Sequence, residues 1–198
     1  MTENNQRQGP QVVDPQVSQE KYTSEVALFR QNYSEYRTRG ILLLEESFPA
    51  IRLAFCSVKI RPYPILFAVC IDFTNYDLEP LSISFIDALT YAPILIQQMP
   101  HQFPRKISQV QQNMNLQPLV IAQADNIPFF CIPGVREYHR HPAHTGDNWF
   151  LHRGIAGEGT LGFLIEKLHQ YGVAGINGIQ APAFSQGALT FDLQSIPS

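Results

Sequence analysis

Residues 129–154 read FFCIPGVREYHRHPAHTGDNWFLHRG: one cysteine closes an apolar run, and four of the chain's six histidines follow within two dozen positions. Two kinds of chemistry suit such a set. As a thiolate, Cys131 is a nucleophile able to form an acyl intermediate. A neutral His139 or His144 in reach would take up a proton, typically worth about 10²–10⁴-fold, and Asp147 would orient one of these imidazoles. Arg136, Arg140 or the histidines would supply positive charge that favours the thiolate. Alternatively, Cys131, Glu137 and two of His139, His144 and His152 form a four-coordinate zinc set of mixed donors. This loop lacks the paired CxxC or HxxxH spacing of a strong zinc signature. A sulfur closed inside a structural metal site is also lost as a nucleophile.

Plainer roles stand beside these. Cys56 and Cys70 lie in apolar strands, where buried free cysteine is common. Cys131 follows two phenylalanines, but Pro133-Gly134 ends the strand and brings the thiol toward the surface. Trp149 and Tyr138 suit packing anchors under the loop, and Arg153, Glu158 and Gly159 shape the turn that follows.

The composition narrows the partners. A length of 198 residues fits one domain with some surplus. With 44% apolar and 16% charged residues, the chain has the makings of a globular core rather than disorder throughout. A formal charge of −3, with no Lys/Arg cluster, argues against nucleic acid as the main partner. Three cysteines without close spacing suggest a reducing cytoplasm rather than a disulfide framework. The N-terminus has no apolar signal core, and no run approaches the roughly 20 apolar residues of a membrane span, so no membrane partner is expected.

The elements that must position the loop follow from periodicity. Residues 1–17, rich in Gln, Asn and Pro, read as a mobile tail. Tyr22, Val26, Phe29, Tyr33 and Tyr36 share one helical face, and Gly40 ends that helix. Ile41–Leu44, Ile51–Val58 and Pro64–Phe73 read as strands. LEPLSISFID adds a fourth, with Leu81, Ile83 and Phe85 on one face and Ser82 and Ser84 on the other. Short connections favour sequential antiparallel pairing. Residues 88–117 read as a long surface excursion, and PLVIA and IPFFC as short extended pieces. Thr160 stands at an N-cap, with a helical face of Leu161, Leu164, Ile165, Leu168 and Tyr171 ended by Gly172. The last 26 residues give no clear assignment.

An N-terminal helix, a four-stranded meander, an irregular segment with a lone cysteine, a Trp and then an amphipathic helix: this order resembles the α+β fold of ubiquitin-conjugating enzymes, the UBC fold. In that family the catalytic cysteine follows the meander and a Trp precedes the next helix; FFCIPG, Trp149 and GTLGFLIEKLHQY occupy those places. The resemblance spans residues 19–171, within a domain of residues 18–172 followed by an extension of residues 173–198. It implies that Cys131 accepts a ubiquitin-like modifier as a thioester from an activating enzyme and passes it to an amine on a target protein, with no cofactor. The family's His-Pro-Asn triplet before the cysteine is replaced by ADNIPFFC, where Asn126 is the candidate oxyanion donor, and the chain's His141-Pro142 comes after the cysteine.

The loop from Cys131 onward is also similar to metal-binding proteins encoded beside bacterial ubiquitin-like genes and described by a Cys, Glu, His, His pattern. Cys131, Glu137 and two of His139, His144 and His152 match it, which would make the chain a zinc-binding accessory protein. Both resemblances imply a bacterial ubiquitin-like modification system of the kind associated with defence against phage.

Overall fold

The computed structural model describes residues 11–110, 113–123, 125–154, 157–180 and 188–191. Helix α1, Pro15–Gln31, opens where Asp14 accepts a hydrogen bond from the Gln16 N–H and Pro15 fills the first turn. It therefore begins inside the segment expected as tail; residues 1–10 lie outside the described residues. Tyr22, Val26 and Phe29 face inward, as their spacing requires. The stretch expected as one helix is two, since Asn32 caps α1 and α2, Tyr33–Thr38, follows.

Strands β1 (Ile41–Ser47), β2 (Ala50–Cys56), β3 (Ile65–Asp72) and β4 (Ser82–Ile86) form the expected antiparallel meander, ordered β1-β2-β3-β4. One face carries Ile51, Leu53, Phe55, Phe67, Val69, Ile71, Ile83 and Phe85 into the main core. Helix α1 and the helix α5, Leu161–Gly172, contribute to that same core. The Thr160 hydroxyl accepts from the Phe163 N–H at 3.2 Å, so α5 starts where its sequence signal stands. On the opposite face Ala50, Ala54, Ala68, Cys70 and Ile86 make a smaller cluster, so Cys70 serves packing there. Cys56 is buried at the end of β2.

The segment 88–117 departs from expectation. It holds a 3-10 turn, Ile96–Gln98, and a hairpin of β5, Pro104–Val110, with β6, Asn113–Pro118. Its polar sequence masks the strands, because backbone pairing needs no apolar alternation when a hairpin adds little to the core. Phe103, fully buried against Phe67, Phe85 and Phe130, anchors its base. A second hairpin of β7, Val120–Ala122, and β8, Pro128–Phe130, matches the two extended pieces.

The histidine-rich stretch is itself helical in short turns: α3 (Arg136–Arg140), a 3-10 turn at Pro142–His144, and α4 (Trp149–His152). After α5, the strands β9 (Ile176–Gln180) and β10 (Ala188–Phe191) pair as a hairpin in the segment that lacked an assignment. The result is mixed α+β: a leading helix, a four-stranded antiparallel sheet and a later helix. Among the described residues no helix is long and apolar enough to cross a membrane.

Candidate functional site around Cys131

The side chains of Phe129 and Phe130 are fully buried, which drives β8 into the core beside β4. The Cys131 N–H donates to the Leu119 carbonyl at 2.7 Å, the last ladder-like bond before Pro133 and Gly134 turn the chain. Gly134 has φ +87°, and a Cβ there would fall 2.7 Å from the Gly159 nitrogen. Gly159, at φ +74°, lies flat against the Trp149 ring, where a Cβ would meet Cη2 at 2.2 Å. The loop carrying the cysteine is thus closed at its base against the turn into α5. Cys131 is left half-buried.

Helix α3 faces two ways. Its first two residues plug into the sheet edge. Buried Arg136 donates to the Pro80 carbonyl at 3.1 Å, to Asp72 Oδ2 at 3.3 Å and to the Thr74 carbonyl. Its backbone N–H donates to the Leu81 carbonyl at 2.9 Å. The Glu137 carboxylate accepts from the Ser82 hydroxyl and, at 3.2 Å, from the Ile83 N–H; burial pushes its pKa up. Arg140 pairs with Glu79. The two arginines expected to favour a Cys131 thiolate are therefore bound to carboxylates and carbonyls of the segment around β3 and β4.

Tyr138 and His139 have their partners in the loop instead. The Tyr138 hydroxyl donates to Asp147 Oδ2 at 2.5 Å. Its ring stacks on His144, with centroids 3.9 Å apart and planes 22° from parallel. His144 Nε2 in turn lies 3.4 Å from Cys131 Sγ, within the range of a sulfur hydrogen bond. His139 accepts from the Gly134 N–H through Nε2 at 3.1 Å, so its Nδ1 donates to the Asp147 carbonyl at 2.8 Å. Both its ring nitrogens are spoken for by backbone. Of the two candidate bases, it is His144 that meets the thiol.

His152 sits between two carboxylates, with Nε2 on Asp147 Oδ1 and Nδ1 on Glu158 Oε2 at 2.9 Å. Those bonds, Asp147's foremost, raise its pKa, while the Tyr138 hydroxyl bond foremost lowers that of Asp147. Asp147 orients its histidine partners, His139 through its carbonyl and His152 through its carboxylate. His144 is held by the Tyr138 ring that Asp147 anchors. Asn126 (φ 58°) stands at the turn of the β7-β8 hairpin. That is the far end of β8, roughly 15 Å of extended chain from Cys131.

Burial pushes the Cys131 thiol up, opposed by the positive charge of Arg105 on β5, and burial pushes His144 down. Both shifts favour the neutral pair, thiol and imidazole, over the ion pair. Arg105 donates to Gln117 Oε1 at 2.7 Å, and its Nε is buried without a hydrogen-bond partner among the described residues. Sequence reading missed Arg105, because it stands in the polar stretch that shows no strand pattern. The alternative ligand set does not converge around Cys131: Glu137 turns to β4, and His152 turns to Asp147 and Glu158. Among the described residues no group of three or more His, Cys, Asp and Glu side chains is arranged to hold a metal ion.

The arrangement is a half-buried thiol with one imidazole in proton-transfer reach and one nearby guanidinium, a set suited to acyl transfer. The same stretch of chain is matched by sequence comparison. The model of the Y4jH family, described as Y4jH-like, matches residues 13–176. The protein y4jH of Sinorhizobium fredii (strain NBRC 101917 / NGR234) is 41% identical over 201 residues, covering 94% of this chain and 98% of its own. The matched region runs from the start of α1 through α5 and includes every residue of the Cys131 cluster, and the chain belongs to the Y4jH family.

Proposed function

We propose that the protein carries a ubiquitin-like modifier as a thioester on Cys131 and transfers it to a target amine. Its setting would be the cytoplasm of a bacterium, within a ubiquitin-like conjugation system of the antiphage kind. The observation that carries this reading is the 3.4 Å contact between Cys131 Sγ and His144 Nε2 at the end of β8. In the loading step the Cys131 thiol gives its proton to His144, and sulfur attacks the thioester carbonyl of the modifier on its activating enzyme. The new S–C bond forms as the old one breaks, and the proton leaves with the departing thiol. In the second step an incoming amine attacks the Cys131 thioester and loses its proton to His144. The Cys131 thiolate is expelled and recovers that proton. Arg105, whose positive charge opposes the burial that raises the Cys131 thiol, is the nearby cation that would steady the tetrahedral oxygen, a role for which Asn126 is too distant.

The test is a non-reducing gel of the protein with its modifier, activating enzyme and ATP. A band of added modifier mass that thiol removes, and that Cys131→Ala lacks, is expected; Cys131→Ser should leave a thiol-resistant oxyester. Absence of any adduct with a competent activating enzyme overturns the reading. So does stoichiometric zinc in the purified protein that Cys131→Ala or Glu137→Ala releases.

A further inference from the structure

A chain of contacts leads from the turn before α5 to the thiol. Glu158 bonds His152 at 2.9 Å, His152 bonds Asp147, Asp147 accepts from Tyr138 at 2.5 Å, Tyr138 stacks on His144 at 3.9 Å, and His144 meets Cys131 at 3.4 Å. His144 belongs to a single 3-10 turn, Pro142–His144. Among the described residues no carboxylate accepts a hydrogen bond from its ring; the aromatic face of Tyr138 holds it instead. A stacked ring can slide in its plane unless its neighbour is pinned, and the Tyr138 hydroxyl is pinned only as firmly as Asp147. The Asp147 carboxylate has two partners, Tyr138 on Oδ2 and His152 on Oδ1, so the imidazole of His152 fixes its rotation.

We infer that His152 is a positioning residue: through Asp147 and Tyr138 it holds the His144 imidazole at the Cys131 sulfur. The inference rests on reading Cys131 as the nucleophile and His144 as its base. His152 never approaches the reacting atoms, and its reach is mechanical. Asp147 transmits through its carboxylate, Tyr138 through its ring plane, and Glu158 holds the outer nitrogen of His152.

The test needs no modifier. The alkylation rate of Cys131 by iodoacetamide is followed by mass spectrometry of its peptide from neutral to strongly alkaline pH, in the whole protein. Loss of the base shifts the reactive limb while the alkaline plateau stays, because there the thiolate forms without help. His152→Ala and Tyr138→Phe should each slow the neutral-pH reaction about 10-fold with the plateau unchanged, less than the about 10²–10⁴-fold lost with the base itself, because the imidazole is misplaced and not removed. His152→Gln, which keeps a donor toward Asp147, should recover most of that loss. The double variant His152→Ala/Tyr138→Phe should be no slower than either single one, since links of one chain do not add. Independent, multiplying effects or an unchanged neutral rate in His152→Ala overturn the inference and leave the nucleophile reading standing. A raised plateau with new labelling of Cys56 and Cys70 overturns it too, because that marks a loosened fold. A wild-type Cys131 no more reactive than Cys56 and Cys70 overturns the nucleophile reading itself, and the inference with it.

Discussion

His144 lies face to face on Tyr138 while its Nε2 points at Cys131 Sγ, so one ring both stacks on a phenol and faces a thiol. Among the four histidines of the loop this makes His144 the one that meets the thiol directly, and the one whose removal should cost chemistry most. His144→Ala is expected to lower the rate of transfer from the Cys131 thioester to an amine by about 10²–10⁴-fold, the usual contribution of a positioned base. His139→Ala should instead act on stability, by freeing the Gly134 N–H and the Asp147 carbonyl. Single-turnover transfer assays with melting curves on the same samples separate the two.

Arg105 opposes the burial that raises the Cys131 thiol. Arg105→Gln should move the midpoint of the thiol's reactivity profile further upward, and Arg105→Lys should restore most of it. Acyl transfer should also fall in Arg105→Gln, by about 10²–10³-fold, the usual loss when a group that steadies the tetrahedral oxygen is removed. Alkylation profiles and transfer rates read these two effects apart.

His101 donates from Nε2 to the Gly172 carbonyl at 2.9 Å and accepts from the Phe103 N–H at Nδ1 at 3.2 Å, a pattern that only the neutral ring satisfies. Burial lowers its pKa from 6.5 to about 4. The unfolded chain therefore binds a proton below pH 6.5 that the folded one refuses until about 4. Its contribution makes stability fall as pH drops through that window. His101→Gln should flatten this limb, at some cost in stability at neutral pH, as checked by urea unfolding at pH 4.5, 5.5 and 7.

Arg136 is the buried bolt of α3, 5% exposed and facing an Asp72 carboxylate that is 12% exposed. Arg136→Met leaves that carboxylate without its cation and frees the Pro80 and Thr74 carbonyls. A loss of about 3–5 kcal/mol is expected, typical of breaking one side of a buried pair. Replacing both partners, as Arg136→Met with Asp72→Leu, should recover part of it. Chemical denaturation measures both.

The sequence made the scaffold legible where burial imposes a period. β2 and β3 read as apolar runs because both their faces are covered, β4 alternates because its Ile83 and Phe85 face meets the core, and Leu161 to Tyr171 repeats because α5 lies on that core. The β5-β6 hairpin escaped, since its strands are polar and pair through backbone. Helix α1 begins about two turns before Tyr22, its first buried apolar residue, because Asp14 and Pro15 start it there. Within the site, Cys131 and His144 could be named as candidates from residue type. Which of the histidines faces the thiol could not: side-chain direction in the loop depends on Gly134, Gly159 and the turn at Pro142, none of which leaves a periodic trace. Glu137 matched a ligand pattern in sequence, yet its carboxylate is taken by Ser82 and Ile83, a pairing 54 and 55 residues apart that spacing cannot reveal.

Helix α3 spends its first two side chains on the sheet and its next two on the loop. A random screen for loss-of-function alleles will therefore collect lesions at positions 136 and 137 beside those at 131 and 144, with the same phenotype. Protein abundance in the cell would tell them apart: the first pair should vanish from lysates, and the second should accumulate as intact but idle chains.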